Sequence, residues 1–445
     1  MHNAIILKHA KSGTVPKTYK AIYFILCCIF CSGTAADLTF ASDPTPVSVR
    51  TFGAHGNGTD DDTATFKAAL NSSQSIVIPD GIYLITQELN IPDGSNITLS
   101  PHTVLQFHTN IPRKFLFRLQ SVKNVHIQGN GGALEGDAHD NPHGIHGGIG
   151  ILGASDNITV EGVTFQDFPD DTGRGGLSGD GVYIGGPLPD GTVPSNVTIS
   201  KSIFLHNGRN QISVTAGSNI KIDGNKMSGT PLDGIDIEPN NDTDICTNIT
   251  LTNNVIDSSR TGISVIRSAS NILIEGNKIS VPSNATREPQ NVNDFEGIHI
   301  DCSSTNTVVK NNHIQGGFMG ISATHGQATI TGNEIIGSRR CLWVRYNDIT
   351  LQNNRLINCW ETAIRIQGNQ AHVIGNFIQD YGDQSKLLAA QIGEAIGICA
   401  IDGYTNGILS GNTVLDTHPH PESRRVVRLP APDKGGNTWQ TDVHL

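Results

Sequence analysis

A short motif recurs nine times between residues 181 and 398. Each copy has one apolar residue on each side of a variable position, and these three residues usually follow a small residue. The copies begin at Gly181, Gln211, Gly234, Gly262, Gly297, Gly320, Cys341, Ala363 and Ala395. Their start-to-start intervals are 21 to 35 residues. A recurrence of this length is typical of coils or repeats that stack on one another, rather than of hairpins.

A second series of residues repeats out of phase with the first. Its members are asparagines that each stand two residues before an apolar residue: Asn225, Asn254, Asn277, Asn312, Asn333, Asn354, Asn376 and Asn412. Like side chains in stacked coils lie above one another, and stacked amides can form hydrogen bonds along the axis. Together with two short β-runs per repeat and 49 glycines for the bends, this predicts a parallel β-helix. Its core would contain Ile235, Ile237, Ile298, Ile300, Ile364 and Ile366.

The chain divides into four predicted segments. Residues 1–36 contain basic residues, an apolar run from Ala21 to Phe30 and then small residues, which is the order of a secretory signal. We therefore expect a secreted or periplasmic protein, with an uncleaved membrane anchor as the alternative. Residues 37–75 predict a strand and a capping helix near Thr63 to Leu70, residues 76–416 the β-helix, and residues 417–445 a tail or second cap.

The net charge bears on the class of partner, and the cysteine spacing bears on disulfides and metal sites. The formal net charge is −11, which argues against nucleic acid or an anionic membrane surface as partner. A membrane contact is expected only through an uncleaved signal anchor. The five cysteines beyond residue 36 are scattered without Cys-x-x-Cys or Cys/His spacing, so no disulfide framework and no zinc site is predicted. Disulfide pairing and oligomeric state stay open.

Two segments resemble a known family. Residues 47–85 are similar to the opening motif of the pectate-lyase-superfamily, or pectin-lyase-like, proteins, and residues 125–136 resemble an early coil of its polygalacturonase-type members. The resemblance implies an all-β, single-domain, right-handed parallel β-helix with a short N-terminal capping helix. The superfamily includes hydrolases, lyases, epimerases, phage depolymerases and non-enzymes, so the likeness is specific for fold and not for reaction.

Side chains alternate along a strand, so the residues between and after the apolar pairs point away from the core and are expected to face solvent. These outward positions form a predicted stripe with acids in its middle and Trp and Arg residues towards its C-terminal end. The stripe contains Tyr183, Ser213, Thr215, Asp236, Glu238, Ser264, His299, Asp301, Ser322, Thr324, Trp343, Arg345, Arg365 and Gln367. Aromatic rings beside charged groups suit a polysaccharide, although a mixed polar face without function is the alternative.

Four outward residues are the predicted catalytic set: Asp236, Glu238, His299 and Asp301. Clustered acids repel one another, so one of them can keep its proton near neutral pH and act as a general acid. The predicted substrate-binding residues are Asp180, Tyr183, Arg209, Asp233, Arg267, Glu296, Trp343, Arg345 and Arg365. For Asp180 and Asp233, a role in shaping a bend is the alternative.

The segment from Asp233 to Asp236 is similar to the Asn-Thr-Asp-Gly-Ile-Asp strand of polygalacturonases. That resemblance implies aspartates that protonate the leaving group and activate water. One coil later, Thr261-Gly-Ile-Ser-Val stands where the family has paired aspartates, so a hydrolase here would use a different acid/base pair.

Three functions remain open from the sequence. The first is a glycoside hydrolase that uses two carboxylates and no cofactor. The second is a polysaccharide lyase (or an epimerase), in which Ca²⁺ held by Asp236, Glu238 and Asp301, or an arginine, neutralises a uronate. The third is a non-catalytic polysaccharide-binding or structural solenoid. The sequence does not name the sugar.

Overall fold

The computed structural model describes residues 45–139, 146–170, 179–241, 243–257, 260–282, 295–302, 306–382, 396–400, 407–417, 425–428 and 435–441. The predicted signal at residues 1–36 lies outside these ranges. Within them, successive strands go in turn to three parallel sheets, here called sheets A, B and C, of 14, 15 and 13 strands. The chain is therefore an all-β parallel β-helix, and the predicted fold class is confirmed.

Sheet A follows each sheet C strand along the chain. It consists of β1 Val47–Ser48, β3 Ser75–Ile78, β6 Asn96–Leu99, β9 Lys123–Gln128, β12 Asp156–Glu161, β15 Ser195–Ser200, β18 Gly217–Asp223, β21 Cys246–Thr252, β24 Ser270–Glu275, β27 Thr307–Lys310, β30 Ala328–Thr331, β33 Thr350–Gln352, β36 His372–Ile374 and β39 Ile408–Ser410.

Sheet B comes next in each coil. It consists of β2 Asn57–Asp61, β4 Gly81–Ile85, β7 Thr103–Phe107, β10 Ala133–Glu135, β13 Thr164–Gln166, β16 Ile203–Leu205, β19 Lys226–Ser228, β22 Val255–Asp257, β25 Lys278–Val281, β28 His313–Gly316, β31 Glu334–Ile336, β34 Arg355–Cys359, β37 Phe377–Tyr381, β40 Thr413–Asp416 and β42 Thr438–Thr441.

Sheet C contains the nine repeated motifs. It consists of β5 Leu89–Asn90, β8 Lys114–Gln120, β11 His146–Leu152, β14 Val182–Gly185, β17 Ile212–Val214, β20 Asp233–Ile237, β23 Thr261–Arg267, β26 Glu296–Cys302, β29 Met319–His325, β32 Arg340–Val344, β35 Thr362–Ile366, β38 Ile396–Ala400 and β41 Arg425–Arg428.

The core is a continuous column of aliphatic side chains from successive coils. The apolar pair of each motif points inwards because alternate residues of a strand lie on opposite faces. All six isoleucines predicted for the core are at most 1% exposed, Ile300 being the one at 1% and the other five at 0%. The assignment of the inner face is therefore confirmed.

The asparagines form a buried ladder at the turn between sheets A and B. Asn254 is representative: its Nδ2 donates to the Ile222 carbonyl at 3.0 Å and to Oδ1 of Asn277 at 3.0 Å. That Oδ1 also accepts the Asn254 backbone N–H at 2.9 Å. Each amide thus bonds to a carbonyl of the preceding coil and to the asparagine of the next coil, so it ties three coils together along the axis, as stacking of the asparagines predicts.

Both ends of the solenoid differ from the predicted boundaries. Strand β1 already pairs with β3, so coil formation begins at Val47 rather than at residue 76. At the other end β41 pairs with β38 and β42 pairs with β40, so the region predicted as a tail still adds strands. The asparagine ladder reaches this region too, because Asn412 Nδ2 donates to Asn437 Oδ1 at 3.0 Å.

The N-terminal helix, α1, spans Thr63–Ser72 and agrees with the predicted capping helix. Its first turn is held by Asp61, whose Oδ1 accepts the Thr63 backbone N–H at 2.9 Å. Phe66 and Ala69 are buried in the core cluster. An amphipathic helix in this place shields apolar side chains that the first coil would expose.

A disulfide joins Cys341 and Cys359, whose Cα atoms lie 5.7 Å apart. The sequence left the pairing of the cysteines open, because these two residues meet only when the coil from β32 to β34 closes on itself. Cys246 and Cys399 are buried cysteines outside this bond.

We predict that Asn277→Ala destabilises the protein strongly. The change removes the acceptor of the Asn254 amide and the donor to the Leu251 carbonyl, and leaves these buried groups unpaired. Unpaired buried groups cost roughly 1–3 kcal/mol each, so we expect a loss of about 2–4 kcal/mol and a lower melting temperature by circular dichroism.

The matched control is Asn271→Gly at an exposed position of β24, where the side-chain hydrogen bonds with Asn248 and Asn306 are also exposed. Asn271 has a φ of 54°, which glycine adopts without strain. We expect this variant to melt close to the wild type. Equal losses in the two variants would contradict a special role for the buried ladder.

Candidate functional site

The predicted outward stripe exists as a column of residues on sheet C. Strand pairing aligns Tyr183 with Ser213, Ser213 with Asp236, and Asp236 with Ser264. It then aligns Ser264 with His299, His299 with Ser322, Ser322 with Trp343, and Trp343 with Arg365. The sequence therefore predicts correctly which residues neighbour each other along the axis.

The expectation that this column faces solvent is wrong at its centre. Asp236 is 4% exposed and His299 is 2% exposed, although neither belongs to the apolar core. The alternation of side chains determines the face of the sheet on which a residue lies. It does not determine what packs over that face, and here other polar side chains do so. The acids consequently lie in a desolvated environment.

One polar network surrounds Asp236. Arg209 makes a two-pronged ion pair with Asp180, with Nε–Oδ1 at 2.8 Å and Nη2–Oδ2 at 2.6 Å, and also donates to Ser213. Asn210 Nδ2 donates to Asp236 Oδ2 at 3.1 Å and to Ser213 Oγ at 3.0 Å. Asn210 was not predicted as a site residue because it precedes the strand, outside the repeated motif. Asp180 and Arg209 thus help to position Asn210 and Ser213, the polar residues that neighbour Asp236.

Two aspartates of β20 have raised pKa values. Burial raises the pKa of Asp236 well above its ordinary value, and the charges of Asp233 and Glu238 raise it further. Burial also raises the pKa of Asp233 to about 6, with Arg260, Thr261 and His299 acting in the opposite direction. Asp233 Oδ1 is buried and has no hydrogen-bond partner among the described residues. Asp233 can therefore keep its proton near neutral pH, and one of its oxygens has no hydrogen-bond partner in the described ranges.

A second network fixes His299. Its Nδ1 lies 2.8 Å from Glu296 Oε2 and 2.8 Å from Ser322 Oγ, and Ser322 in turn donates to Glu296. Burial acts to lower the pKa of His299, but the charge and hydrogen bond of Glu296 outweigh it and raise the pKa above its ordinary value. Both partners use Nδ1, whereas the buried Nε2 has no partner within the described part of the chain. Ser322 was missed because it looks like any polar strand residue.

Two further predicted residues lie at the edge of this cluster. Asp301 is paired with Nδ1 of His325. Burial acts to raise the pKa of Asp301, but hydrogen bonds from Thr324 and His325 lower it below the ordinary value. Glu238 Oε1 lies 3.3 Å from Arg267 Nη2, and Arg267 also donates to the Pro239 carbonyl at 2.9 Å. Both carboxylates are more exposed than Asp236.

The aromatic residues predicted to bind substrate are largely covered. Tyr183 stacks on Phe115 at 5.8 Å between ring centroids, and its hydroxyl lies 2.8 Å from Thr215 Oγ1. The ring of Trp343 has two guanidinium groups near it, Arg345 at 5.2 Å and Arg340 at 5.9 Å.

Arg365, which follows Trp343 in the column, lies 3.6 Å from the buried Glu361. Binding of substrate by Tyr183, Trp343, Arg345 and Arg365 stays a prediction, since their contacts are to other side chains of the protein.

The cluster therefore brings together two groups of ionisable residues, and their charges interact. His299 interacts with Asp233 and Asp301, and Asp236 interacts with Asp233 and Glu238. In the described ranges, no group of three His, Cys, Asp or Glu side chains is arranged to hold a metal ion. What the arrangement offers chemically is a proton donor of raised pKa beside more exposed carboxylates and an oriented imidazole.

Comparisons with known proteins agree with this architecture. Residues 118–314 match the family described as the right handed beta helix region. No curated protein matches the chain. In the described part of the chain no helix has the length and apolar character needed to cross a membrane.

Several solved structures share the fold. The catalytic unit of a GH87 α-1,3-glucanase from Streptomyces thermodiastaticus has 14% identity and a TM-score of 0.57 over 90% of this chain and 70% of that one. A mutant tailspike of E. coli bacteriophage HK620, in complex with a hexasaccharide, has 13% identity and a TM-score of 0.56 over 89% and 78%. The adhesin PfbA of Streptococcus pneumoniae has 14% identity and a TM-score of 0.54 over 89% and 100%. The chain thus has the right-handed parallel β-helix fold.

We predict that Asp233→Asn stabilises the protein at pH 7.5 but not at pH 4. A raised pKa means that the folded state binds the proton more tightly than the unfolded state. The wild type therefore loses stability as pH rises from near the ordinary value of 3.8 through about 6. Asparagine has no charge to bury, so the melting temperature of the variant should exceed that of the wild type only at the higher pH.

Asp190→Asn is the control, because Asp190 is exposed in a turn and its pKa is lowered by its backbone hydrogen bond to Thr192. This variant should gain nothing at pH 7.5. If Asp233→Asn were instead less stable than the wild type at both pH values, the Asp233 carboxylate would be better solvated than its surroundings indicate.

Proposed function

We propose that this protein is an extracytoplasmic glycoside hydrolase that cleaves a polysaccharide by carboxylate acid/base catalysis. The observation that carries the proposal is a pair of aspartates on one strand, β20, whose pKa values are both raised by burial, that of Asp233 to about 6 and that of Asp236 well above its ordinary value. Hydrolysis of a glycosidic bond needs one carboxyl group that still has its proton and a second group that activates water.

Asp233 is the proposed general acid. Its pKa of about 6 lets it keep a proton near neutral pH and release it to the departing sugar oxygen. Its Oδ1 has no hydrogen-bond partner in the described structure. The sequence predicts Asp236 as a catalytic residue and Asp233 as a substrate-binding residue, but Asp236 is buried and its Oδ2 accepts a hydrogen bond from Asn210. We propose that Asp236 makes ionisation of Asp233 less favourable.

Glu238 is the proposed base, because it lies on the same strand, is more exposed and is oriented by Arg267. The Nε2 of His299 has no partner among the described residues, and the charge of His299 interacts with that of Asp233. We assign it to hydrogen bonding with a sugar hydroxyl or the attacking water. Asp301 lies at the edge of the cluster and is proposed to bind substrate there.

Structural relatives support a carbohydrate as ligand. The tailspike is known in complex with a hexasaccharide, and the Streptomyces protein is an α-1,3-glucanase. Their identity to this chain is too low to transfer a substrate. An extracytoplasmic location is supported by the signal-like residues 1–36 and by the Cys341–Cys359 disulfide, since disulfides persist in oxidising compartments.

The lyase alternative receives less support. An arginine that neutralises a uronate must have charge to spare, but the guanidinium of Arg209 is already in a two-pronged contact with Asp180. A purely binding surface, the third possibility, does not require carboxyl groups of raised pKa. In the experiment below, a lyase would give different products from a hydrolase, and a binding surface would give none.

We predict that the mature protein releases new reducing ends from one member of a panel of α-glucans, pectic polysaccharides, alginate and bacterial exopolysaccharides. Asp233→Asn and Glu238→Gln should each lower kcat/KM by at least about 10²-fold with binding largely kept, because each removes a proton-transfer group. Asp190→Asn, outside the site, should retain wild-type rates. Products that absorb as unsaturated uronates would identify a lyase, and binding without cleavage would identify a carbohydrate-binding protein.

The pH profile tests the role of Asp233 separately. Only the protonated form can act as the acid, so kcat/KM of the wild type should fall as pH rises through about 6. In Asp233→Asn this alkaline limb should disappear, leaving a low rate that is flat across the same range. An unchanged alkaline limb in the variant would assign it to another group.

A further inference from the structure

An exposed aromatic residue lies on the outer side of sheet C, two coils beyond Asp301. Strand pairing places Asp301 beside His325, and the Arg345 N–H donates to the Ala323 carbonyl, so Tyr346 follows in the next coil. The rings of His325 and Tyr346 lie 5.7 Å apart at an angle of 42°. Tyr346 is 45% exposed, in contrast to Tyr183 and Trp343, which are 7% exposed. Its ring is therefore open where the other aromatic rings of the stripe are covered.

The next coil passes close to the backbone of Tyr346. The residue that passes it there is Gly368, and a Cβ at this position would lie 2.0 Å from the Tyr346 carbonyl oxygen. The close backbone approach thus requires glycine. The rim contains amides, because the Asn369 N–H donates to Asn347 Oδ1 at 2.7 Å. One neighbour of the ring is the imidazole of His325.

Single exposed aromatic residues are common on protein surfaces and need no function. Trp439 is an example in this chain: it is 38% exposed on sheet B, far along the sequence from the acids. Tyr346 differs in three respects: it follows Asp301 and His325 along the axis, it pairs with a histidine ring, and it adjoins a position without a side chain. These features together form a shaped site rather than an isolated ring.

We propose that Tyr346 is the centre of a carbohydrate-binding subsite in which a pyranose ring stacks on the exposed phenol. A tyrosine ring provides an apolar face for the C–H side of a sugar and a hydroxyl that stays in water. Asn347 and the Asp301–His325 pair are placed to hydrogen bond with sugar hydroxyls at the rim. Coils stack roughly 4.8 Å apart, so the subsite lies about 10 Å along the axis from Asp301. The inference rests on the proposed function in one respect, that the polysaccharide lies along sheet C.

The test measures binding without cleavage, in the Asp233→Asn background. The probes are hexasaccharides of α-1,3-glucan, polygalacturonate and mannuronan, titrated by calorimetry. Tyr346→Ala should weaken binding of the recognised hexasaccharide by about tenfold or more, whereas Tyr346→Phe should bind as the parent does because the ring is retained. Trp439→Ala is the matched control and should leave the affinity unchanged.

The outcomes separate this subsite from the proposed hydrolase. If Tyr346→Ala binds every probe as tightly as its parent, the subsite is wrong even where Asp233→Asn abolishes cleavage. If Tyr346→Ala weakens binding while the carboxylate variants cleave normally, the subsite stands and the proposed catalytic residues are wrong. Failure of all three hexasaccharides to bind the parent also overturns the subsite.

Discussion

The structure depends on the register between neighbouring coils. A parallel strand pair can slip without losing many backbone hydrogen bonds, but a slip of one residue would move every core isoleucine to the outer face. The buried asparagines prevent this slip. Each amide bonds to a strand carbonyl of the preceding coil and to the amide of the next coil, so the turn between sheets A and B has one position relative to its neighbours. Everything on the outer face of sheet C inherits that alignment.

The candidate site uses this alignment to bring acids together at a cost in stability. The column through Asp236 has serine at the preceding and following positions, Ser213 and Ser264, which can be buried with a hydrogen bond and no charge. Asp233, Asp236 and Glu238 on one strand instead repel one another, and burial of the first two opposes their ionisation. Such an arrangement persists only because ladders elsewhere hold the coils, and raised pKa values in one place are typical of functional sites.

The sequence was sufficient to predict the features that depend on residues within a single repeat. The nine motifs placed the sheet C strands, the asparagines placed one turn, and alternation identified Ile235, Ile298 and the other core residues. The same alternation placed Asp236 and His299 on the outer face correctly. Asp233 and Glu296 were predicted only as substrate-binding residues, and that role stays a prediction.

What sequence could not supply depends on contacts between distant parts of the chain. The burial of Asp236 results from Asn210 and the Asp180–Arg209 pair, which come from two preceding coils. The disulfide needs Cys341 and Cys359 to meet across the interior of a coil, and their spacing of 18 residues has no recognisable pattern. Tyr346 was missed because it lies just after an apolar strand end, where an aromatic residue reads as core until Gly368 and His325 are seen beside it.

The two histidines of the site show that neighbouring positions on one sheet can have different chemistry. His299 is enclosed, with Glu296 and Ser322 both on Nδ1, so its orientation is fixed and its pKa is raised. His325, one coil further and one column to the side, is mostly exposed and contacts Asp301 and the ring of Tyr346. The first environment suits a group that acts on a reacting bond, because its position does not vary. The second suits contact with a flexible polymer, because solvent can replace each of its contacts when the chain moves along the helix.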